Sequence, residues 1–154
     1  DVYKRQAIGS DHAGYGLKTG IIKHLNEKGY MVKDFGTWDG CRSVDYPDYG
    51  LAVAESVKSG ECEKGIIICG TGIGISISAN KVPGIRAALC TDSYMARMSR
   101  EHNDANILAL GDRVVGLGLA LDIVDTWLQT EFIGGRHKTR VEKIMEIEKK
   151  YLKA

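Results

Sequence analysis

The chain has 154 residues, and its 21 basic and 20 acidic side chains leave a net charge of +1. This length suits one domain with a proper core, and the small net charge gives no overall field that would favour nucleic acid or a membrane surface. No apolar run reaches the roughly 18 residues of a membrane-spanning helix, and no signal peptide is visible. We therefore expect a cytoplasmic protein without nucleic-acid or membrane partners.

The first six residues, DVYKRQ, are polar where a first strand is expected, and they lack an initial Met. We expect residues 1–6 to be an atypical or non-native segment and residues 7–154 to form the single domain. The first strand is then carried by Gln6, Ala7 and Ile8.

Strand and helix patterns alternate along the rest of the chain. The predicted strands cover residues 6–8, 30–36, 64–70, 85–90 and 106–111. The predicted helices cover residues 16–29, about 47–57, 74–80, 92–102, 117–129 and 137–152. This order predicts a three-layer αβα sandwich, with a Rossmann-like parallel sheet of about five strands and a C-terminal helix. Ligands of such folds lie at the carboxyl ends of the strands.

Apolar residues at helical spacing predict the inward face of each helix. For the second helix this face is Leu51, Ala54 and Val57. For the last helix it is Val141, Ile144, Met145 and Leu152.

A glycine-rich loop follows the third predicted strand, in the stretch IIICGTGIGIS at residues 66–76. Gly70, Gly72 and Gly74 would let backbone N–H groups face a ligand, and the start of the next helix favours an anion. The spacing is not the dinucleotide-binding G-x-G-x-x-G, because residue 75 is Ile. Spacing alone is equally compatible with a tight turn that needs small residues.

Cys69 stands at the mouth of this loop, at the end of a buried strand. Free cysteines are commonly core residues, but a thiol near a helix N-terminus has its pKa lowered from about 8.5 and becomes a usable base or nucleophile. Cys41, Cys62 and Cys90 have no such setting and are expected to be structural. Cys62 lies in the charged turn GECEK, where acidic neighbours should raise its pKa.

The four cysteines form no C-x-x-C pair, and H-E-x-x-H is absent from the sequence. A disulfide framework or a structural zinc site is therefore not expected, and a reducing compartment is the default. We predict neither a metal nor a cofactor.

The stretch GSDHAG at residues 9–14 mimics the first half of a phosphate-binding loop. However, Tyr15 and Gly16 stand where Lys and Ser or Thr are required, so a nucleotide triphosphatase is excluded. Asp11 and His12 remain at a strand end, either as a helix cap or as a functional pair.

Two later stretches carry further candidates. His102 and Asn103 follow a predicted helix, where a histidine favours the helix C-terminus and an asparagine is an ordinary stop. Arg136 and Arg140 are four residues apart, so they share a helical face that suits a phosphate. A solvated basic turn is an equally good reading of these arginines.

Together, six stretches of the sequence resemble the ribose-5-phosphate isomerase B family, which also includes allose-6-phosphate and galactose-6-phosphate isomerases. They follow the family's order from Ala7 onward and read GSDHAG, VDYPDYG, CGTGIGISISANK, GIRAAL, SREHNDANILALG and GGRHKTRVEKI. The resemblance implies an aldose–ketose isomerase that interconverts ribose 5-phosphate and ribulose 5-phosphate through a cis-enediolate.

The resemblance also implies a role for each candidate residue. Cys69 is the base, although some relatives use a glutamate from elsewhere. The enediolate is held by Gly70, Thr71, Gly72, Ile73 and Gly74. His102 opens the ring together with Asp11, and Tyr46 and Asn103 position the substrate. The phosphate is bound by His12, Arg113, Arg136 and Arg140.

The resemblance further implies a site built between two subunits of a homodimer or homotetramer, with a small sugar phosphate as ligand. Two alternatives stay open: an allose-6-phosphate or galactose-6-phosphate isomerase (or a subunit of one), and a non-catalytic flavodoxin-like module that binds phosphate. A complete set of site residues favours a self-sufficient homomer, and a binding module has no need for Cys69 together with His102.

Overall fold

Five strands form the sheet at the centre of the molecule. They are β1 (Arg5–Ser10), β2 (Met31–Asp34), β3 (Lys64–Cys69), β4 (Ala87–Leu89) and β5 (Ile107–Gly111). The order across the sheet is β2-β1-β3-β5-β4, and every neighbouring pair is parallel. The computed structural model describes residues 4–152, so half of the predicted atypical segment, residues 1–3, lies outside the described part.

Within residues 4–152, six helices connect and follow these strands. They are α1 (Tyr15–Glu27), α2 (Tyr46–Lys58), α3 (Ile73–Ala79), α4 (Ser93–Glu101), α5 (Leu117–Gln129) and α6 (Arg136–Tyr151). Apolar side chains from α1, α4 and α5 form one core on one face of the sheet, and those from α2 and α3 form a second core on the other. The predicted three-layer αβα sandwich is therefore confirmed.

Local signals in the sequence account for several element ends. Gly29 follows α1 with a φ of +86°, a conformation that glycine adopts without steric cost. The Asp92 carboxylate accepts a hydrogen bond from the Met95 N–H over 2.7 Å and caps α4. β1 is longer than predicted, because its pairing with β2 begins at Arg5 and its pairing with β3 extends to Ser10.

The predicted inward faces of two helices are wrong in part. Leu51 is exposed, whereas Ala54 is buried as predicted, together with Gly50 and Val53. In α6 the predicted face includes Ile144 and Leu152, which are both exposed, whereas Val141 is buried. Helical spacing identifies an apolar stripe but not the surface that covers it, and these residues do not face the sheet of their own chain.

Two of the cysteines expected to be structural are buried. Cys62 lies in the bend between α2 and β3, but it is directed inward, because only 1% of the residue is exposed. Its pKa is raised as predicted, but burial is the largest cause and the charge of Glu61 contributes less. Burial also raises the pKa of Cys90 to about 11.

Among residues 4–152, none of the helices is both long enough and apolar enough to cross a membrane.

Candidate active site

A pocket of about 610 Å³ opens at the carboxyl end of the sheet. The residues that line it are Asp11, His12, Ala13, Tyr46, Cys69, Gly70, Thr71, Ile73, Gly74, Ile77 and Arg113. Most of the predicted site residues therefore meet in one place, because the loops that follow parallel strands share one edge of the sheet.

Cys69 is the last residue of β3 and pairs in register with Gly111 of β5. Its side chain is 4% exposed, yet it contributes to the pocket wall. The backbone N–H of Gly72 donates a hydrogen bond to the Cys69 Sγ over 3.2 Å. The Cys69 sulfur therefore lies at the pocket wall with a backbone donor directed at it.

The loop after Cys69 requires glycine at Gly72. Its φ is +82°, and a Cβ there would lie 2.6 Å from the Leu89 Cδ1 and 2.9 Å from the Leu110 carbonyl carbon. Thr71 stabilises the same loop, since its Oγ1 accepts a hydrogen bond from the Ile73 N–H over 3.2 Å. The glycine spacing is thus needed for a tight turn and also leaves the backbone of the loop facing the pocket.

Asp11 and His12 follow β1 on the opposite side of the pocket. Asp11 is buried, and its Oδ1 accepts a hydrogen bond from the Gly14 N–H over 3.0 Å. The His12 Nδ1 accepts a hydrogen bond from the Val44 N–H over 3.1 Å, which assigns the proton of a neutral ring to Nε2. Asp11 therefore caps the turn before α1 and also lines the pocket.

Tyr46 and Arg113 complete the polar wall of the pocket. The Tyr46 ring lies against Gly74, where an added Cβ would come within 2.6 Å of the ring. The Arg113 guanidinium lies over Gly70, 3.1 Å from the position of an added Cβ, and the Arg113 N–H donates to the Gly70 carbonyl over 3.0 Å. Both side chains therefore depend on glycines of the loop for their positions.

Four predicted site residues lie elsewhere, in a second cluster. His102 caps the C-terminus of α4, and Asn103 follows it. Arg136 begins α6, and Arg140 lies one turn further along. None of these four residues lines the pocket.

The second cluster lies at the amino edge of the sheet. The Asn103 carbonyl accepts a hydrogen bond from the side chain of Arg86, the residue that precedes β4. The Gly65 N–H, at the start of β3, donates to the Asn106 carbonyl. Cys69 stands at the other end of β3, and six strand residues span roughly 16 Å at about 3.3 Å per residue. Within one chain, His102 and Cys69 thus belong to opposite edges.

His137 forms the centre of the second cluster, although the sequence analysis did not single it out. Its ring is stacked on that of His102, with the centroids 3.9 Å apart and the planes 7° from parallel. Burial lowers the pKa of His137, and the neighbouring His102, Arg136 and Arg140 lower it further. The stretch GGRHKTR could have indicated His137, because this residue lies in the same helical turn as Arg136 and Arg140.

Asp112 is another residue that sequence reasoning missed. Its Oδ2 accepts a hydrogen bond from the Leu17 N–H over 3.0 Å, which joins the loop after β5 to the first turn of α1. Because α1 follows Asp11 and His12 directly, this contact fixes two walls of the pocket relative to each other. No local pattern marks a contact between residues 95 positions apart.

In the described range 4–152, no group of three or more His, Cys, Asp or Glu side chains is arranged to hold a metal ion.

The chain resembles known proteins over nearly its whole length. The family model described as Ribose/Galactose Isomerase matches residues 7–144. Ribose-5-phosphate isomerase B of Escherichia coli is 54% identical over 96% of this chain and 98% of its own. The ribose-5-phosphate isomerase B structures from Clostridium thermocellum and Thermotoga maritima are 74% and 51% identical, with TM-scores of 0.94 and 0.91. They cover 96% and 94% of this chain, and 99% of each of theirs is matched.

The chain therefore belongs to the ribose/galactose isomerase family. The predicted resemblance to the ribose-5-phosphate isomerase B group within it is confirmed.

Proposed function

We propose that this protein is an aldose–ketose isomerase that interconverts ribose 5-phosphate and ribulose 5-phosphate. The observation that carries the proposal is Cys69 on the pocket wall with a backbone N–H directed at its sulfur. The family membership and the names of the relatives support the same reaction class.

Cys69 is the proposed base. In the open-chain sugar, the C2 proton lies next to the C1 carbonyl, and its removal places negative charge on the carbonyl oxygen. The thiolate takes this proton, and an enediolate forms. The resulting thiol returns a proton to C1, and the proton of the C2 hydroxyl passes to the C1 oxygen, which gives the ketose. No net oxidation or co-reactant is needed, since one proton moves from C2 to C1 and a second moves from O2 to O1.

The loop after β3 is the proposed oxyanion site. Gly70, Thr71 and Gly74 lie on the pocket wall beside Cys69, and the first N–H groups of a helix have no carbonyl within that helix to bond. Hydrogen-bond donors that are already in position stabilise the negative charge that develops on the carbonyl oxygen, because they need not rearrange during the reaction. In this account the loop, with Ile73 and Gly72, stabilises the enediolate that Cys69 creates.

His102 and Asp11 are the proposed groups for opening the furanose ring, with Tyr46 and Asn103 positioning the sugar. His12, Arg113, Arg136 and Arg140 would bind the phosphate. His12 directs its Nε2 proton away from the Val44 contact, and guanidinium groups suit phosphate oxygens because they form paired hydrogen bonds. Phosphate binding away from the reacting carbons then orients them for proton transfer.

A second copy of the chain is needed to bring these roles together. Cys69 and His102 lie at opposite edges of the same sheet, so one sugar phosphate cannot reach both within one chain. We infer that the pocket of one subunit receives His102, Asn103, Arg136 and Arg140 from its partner. A homodimer is the minimal assembly that satisfies this requirement, and a homotetramer built from such dimers satisfies it as well.

The rim of the pocket supports this assembly. Tyr46, Ile73 and Ile77 are 41%, 52% and 55% exposed, and all three line the pocket. Leu51 adds another exposed apolar side chain on α2. Exposed apolar groups around a polar pocket are typical of a surface that a partner covers.

We further propose that residues 7–154 act as one domain in a reducing, cytoplasmic compartment. One sheet carries both clusters of site residues, and all four cysteines are free.

An assay of the purified chain with ribose 5-phosphate, ribulose 5-phosphate, allose 6-phosphate and galactose 6-phosphate tests the proposal. We expect turnover of the two pentose phosphates by the chain alone. Faster turnover of a hexose phosphate would favour the allose or galactose alternative. Binding of all the sugars without turnover of any would favour a non-catalytic module.

A further inference from the structure

The second cluster contains a contact between two histidine rings that has no part in the proposed reaction steps. The imidazoles of His102 and His137 are stacked almost parallel, with 3.9 Å between their centroids. His137 is 7% exposed, whereas His102 is half-buried. The buried His137 ring therefore packs beneath the His102 ring, which reaches the surface.

This stack is the main constraint on the orientation of His102. The hydrogen bonds formed within residues 4–152 include the His102 backbone N–H, which donates to the Met98 carbonyl, but none of them joins either imidazole. A ring without a hydrogen-bonded nitrogen is free to rotate about its side-chain bonds unless packing fixes its plane. In the cluster, packing against His137 supplies that constraint.

The surroundings of His137 disfavour a charge on its ring. It lies in the first turn of α6, where the helix dipole is positive, and Arg136 and Arg140 flank it. Burial together with His102 and these arginines lowers the pKa of His137, against a smaller opposing effect of Glu101. Two imidazolium rings at this separation would also repel each other strongly.

We propose that His137 is the positioning residue for His102: its stacked ring fixes the plane of the His102 imidazole that acts in ring opening. The catalytic consequence rests on the proposed function, but the orientation of the two rings does not. His137 itself has no contact with the substrate in this account.

A pair of variants of similar volume separates stacking from simple space filling. His137→Phe retains a flat ring without a titratable group, and His137→Leu fills the space without one. For His137→Leu we expect kcat on ribose 5-phosphate to fall by about 10- to 100-fold, as for other losses of orientation, with KM and inhibition by inorganic phosphate little changed. The loss should be smaller with ribulose 5-phosphate, which has no furanose ring to open, and His137→Phe should recover most of the activity.

Three results would overturn the proposal: full activity of His137→Leu, equal loss in both variants, or a raised KM with unchanged kcat. His24→Ala is the control, because His24 pairs with Asp125 on the surface of α1 and α5, outside both clusters.

Crystal structures of the two variants give a readout that does not depend on activity. We expect the His102 ring to turn or become disordered in His137→Leu and to keep its plane in His137→Phe. An unchanged His102 plane in His137→Leu would contradict the proposal. If the wild-type protein turned over neither pentose phosphate, the proposed function would fail, while the ring orientations would still decide the role of His137.

Discussion

The Gly72 N–H and the Cys69 sulfur are 3.2 Å apart and hydrogen-bonded, across the turn that joins β3 to α3. Gly70, Thr71, Ile73 and Gly74 of the same turn line the pocket beside Cys69. In the proposed mechanism, this geometry would couple proton removal at Cys69 to stabilisation of the charge that removal creates.

Replacement of Cys69 tests the base directly. Cys69→Ala should lower kcat for isomerisation by at least roughly 10²–10⁴-fold, the range associated with acid–base groups, while inorganic phosphate still binds. Cys41→Ala, which removes the exposed cysteine, should keep full activity in the same spectrophotometric assay. Near-normal turnover by Cys69→Ala would remove Cys69 from the mechanism.

Gly72→Ala tests the turn. A side chain at a φ of +82° is strained, and its Cβ would collide with Leu89 and with the backbone of Leu110. We expect a loss of about 1–3 kcal/mol in the free energy of unfolding from the backbone strain, together with a loss of activity, as measured by urea unfolding and by turnover.

Gly118→Ala is the matched control, because Gly118 lies in the first turn of α5 with no atom within 4 Å of an added Cβ. It should be neutral or slightly stabilising. If both variants were equally stable and active, the conformation of Gly72 would not matter to the site.

Arg140→Ala tests the phosphate role of the second cluster. Removing one guanidinium should weaken the binding of both ribose 5-phosphate and competing inorganic phosphate. The measurements are a higher KM for the substrate and a higher inhibition constant for phosphate. Lys138→Ala removes an exposed cation from the same helix and should change neither constant. Unchanged competition by phosphate in Arg140→Ala would leave the start of α6 as a solvated basic helix.

Cys90 makes stability sensitive to alkaline pH. Burial raises the pKa of this thiol from 9.0 to about 11, so the folded protein favours the neutral form more than the unfolded chain does. The resulting stability is complete below about pH 9 and is lost as pH rises through 11. Between pH 8 and pH 11, the wild type should lose about 2 kcal/mol more than Cys90→Ala does, measured by urea unfolding. Equal losses would show that folding does not raise the pKa of this thiol.

The helices, the strands and the site residues that line the pocket could largely be predicted from the sequence. Alternating apolar runs and helical stripes are local patterns, and parallel strands bring their following loops to one edge. Asp11, Cys69 and Arg113 could therefore be expected to meet although they are far apart in the chain.

Two features could not be obtained from local patterns. Leu51 and Ile144 satisfy the helical spacing of an inward face but are exposed, because spacing does not tell whether the chain's own sheet or another surface lies opposite. The stack of His102 on His137 joins residues 35 positions apart, and it depends on where α6 begins relative to the end of α4. Tertiary placement, which no short motif encodes, decides both.

The central claim is that one site combines Cys69 of one subunit with His102 of another, and subunit mixing tests it most directly. With ribose 5-phosphate as substrate, Cys69→Ala and His102→Asn should each be nearly inactive alone. A mixed dimer has one site that carries both substitutions and one site that carries neither. After the two variants are unfolded together and refolded in equal amounts, half of the dimers should be mixed, so about a quarter of the wild-type activity should return. If native mass spectrometry shows mixed dimers and the isomerase activity stays at the level of the separate variants, the shared site is contradicted.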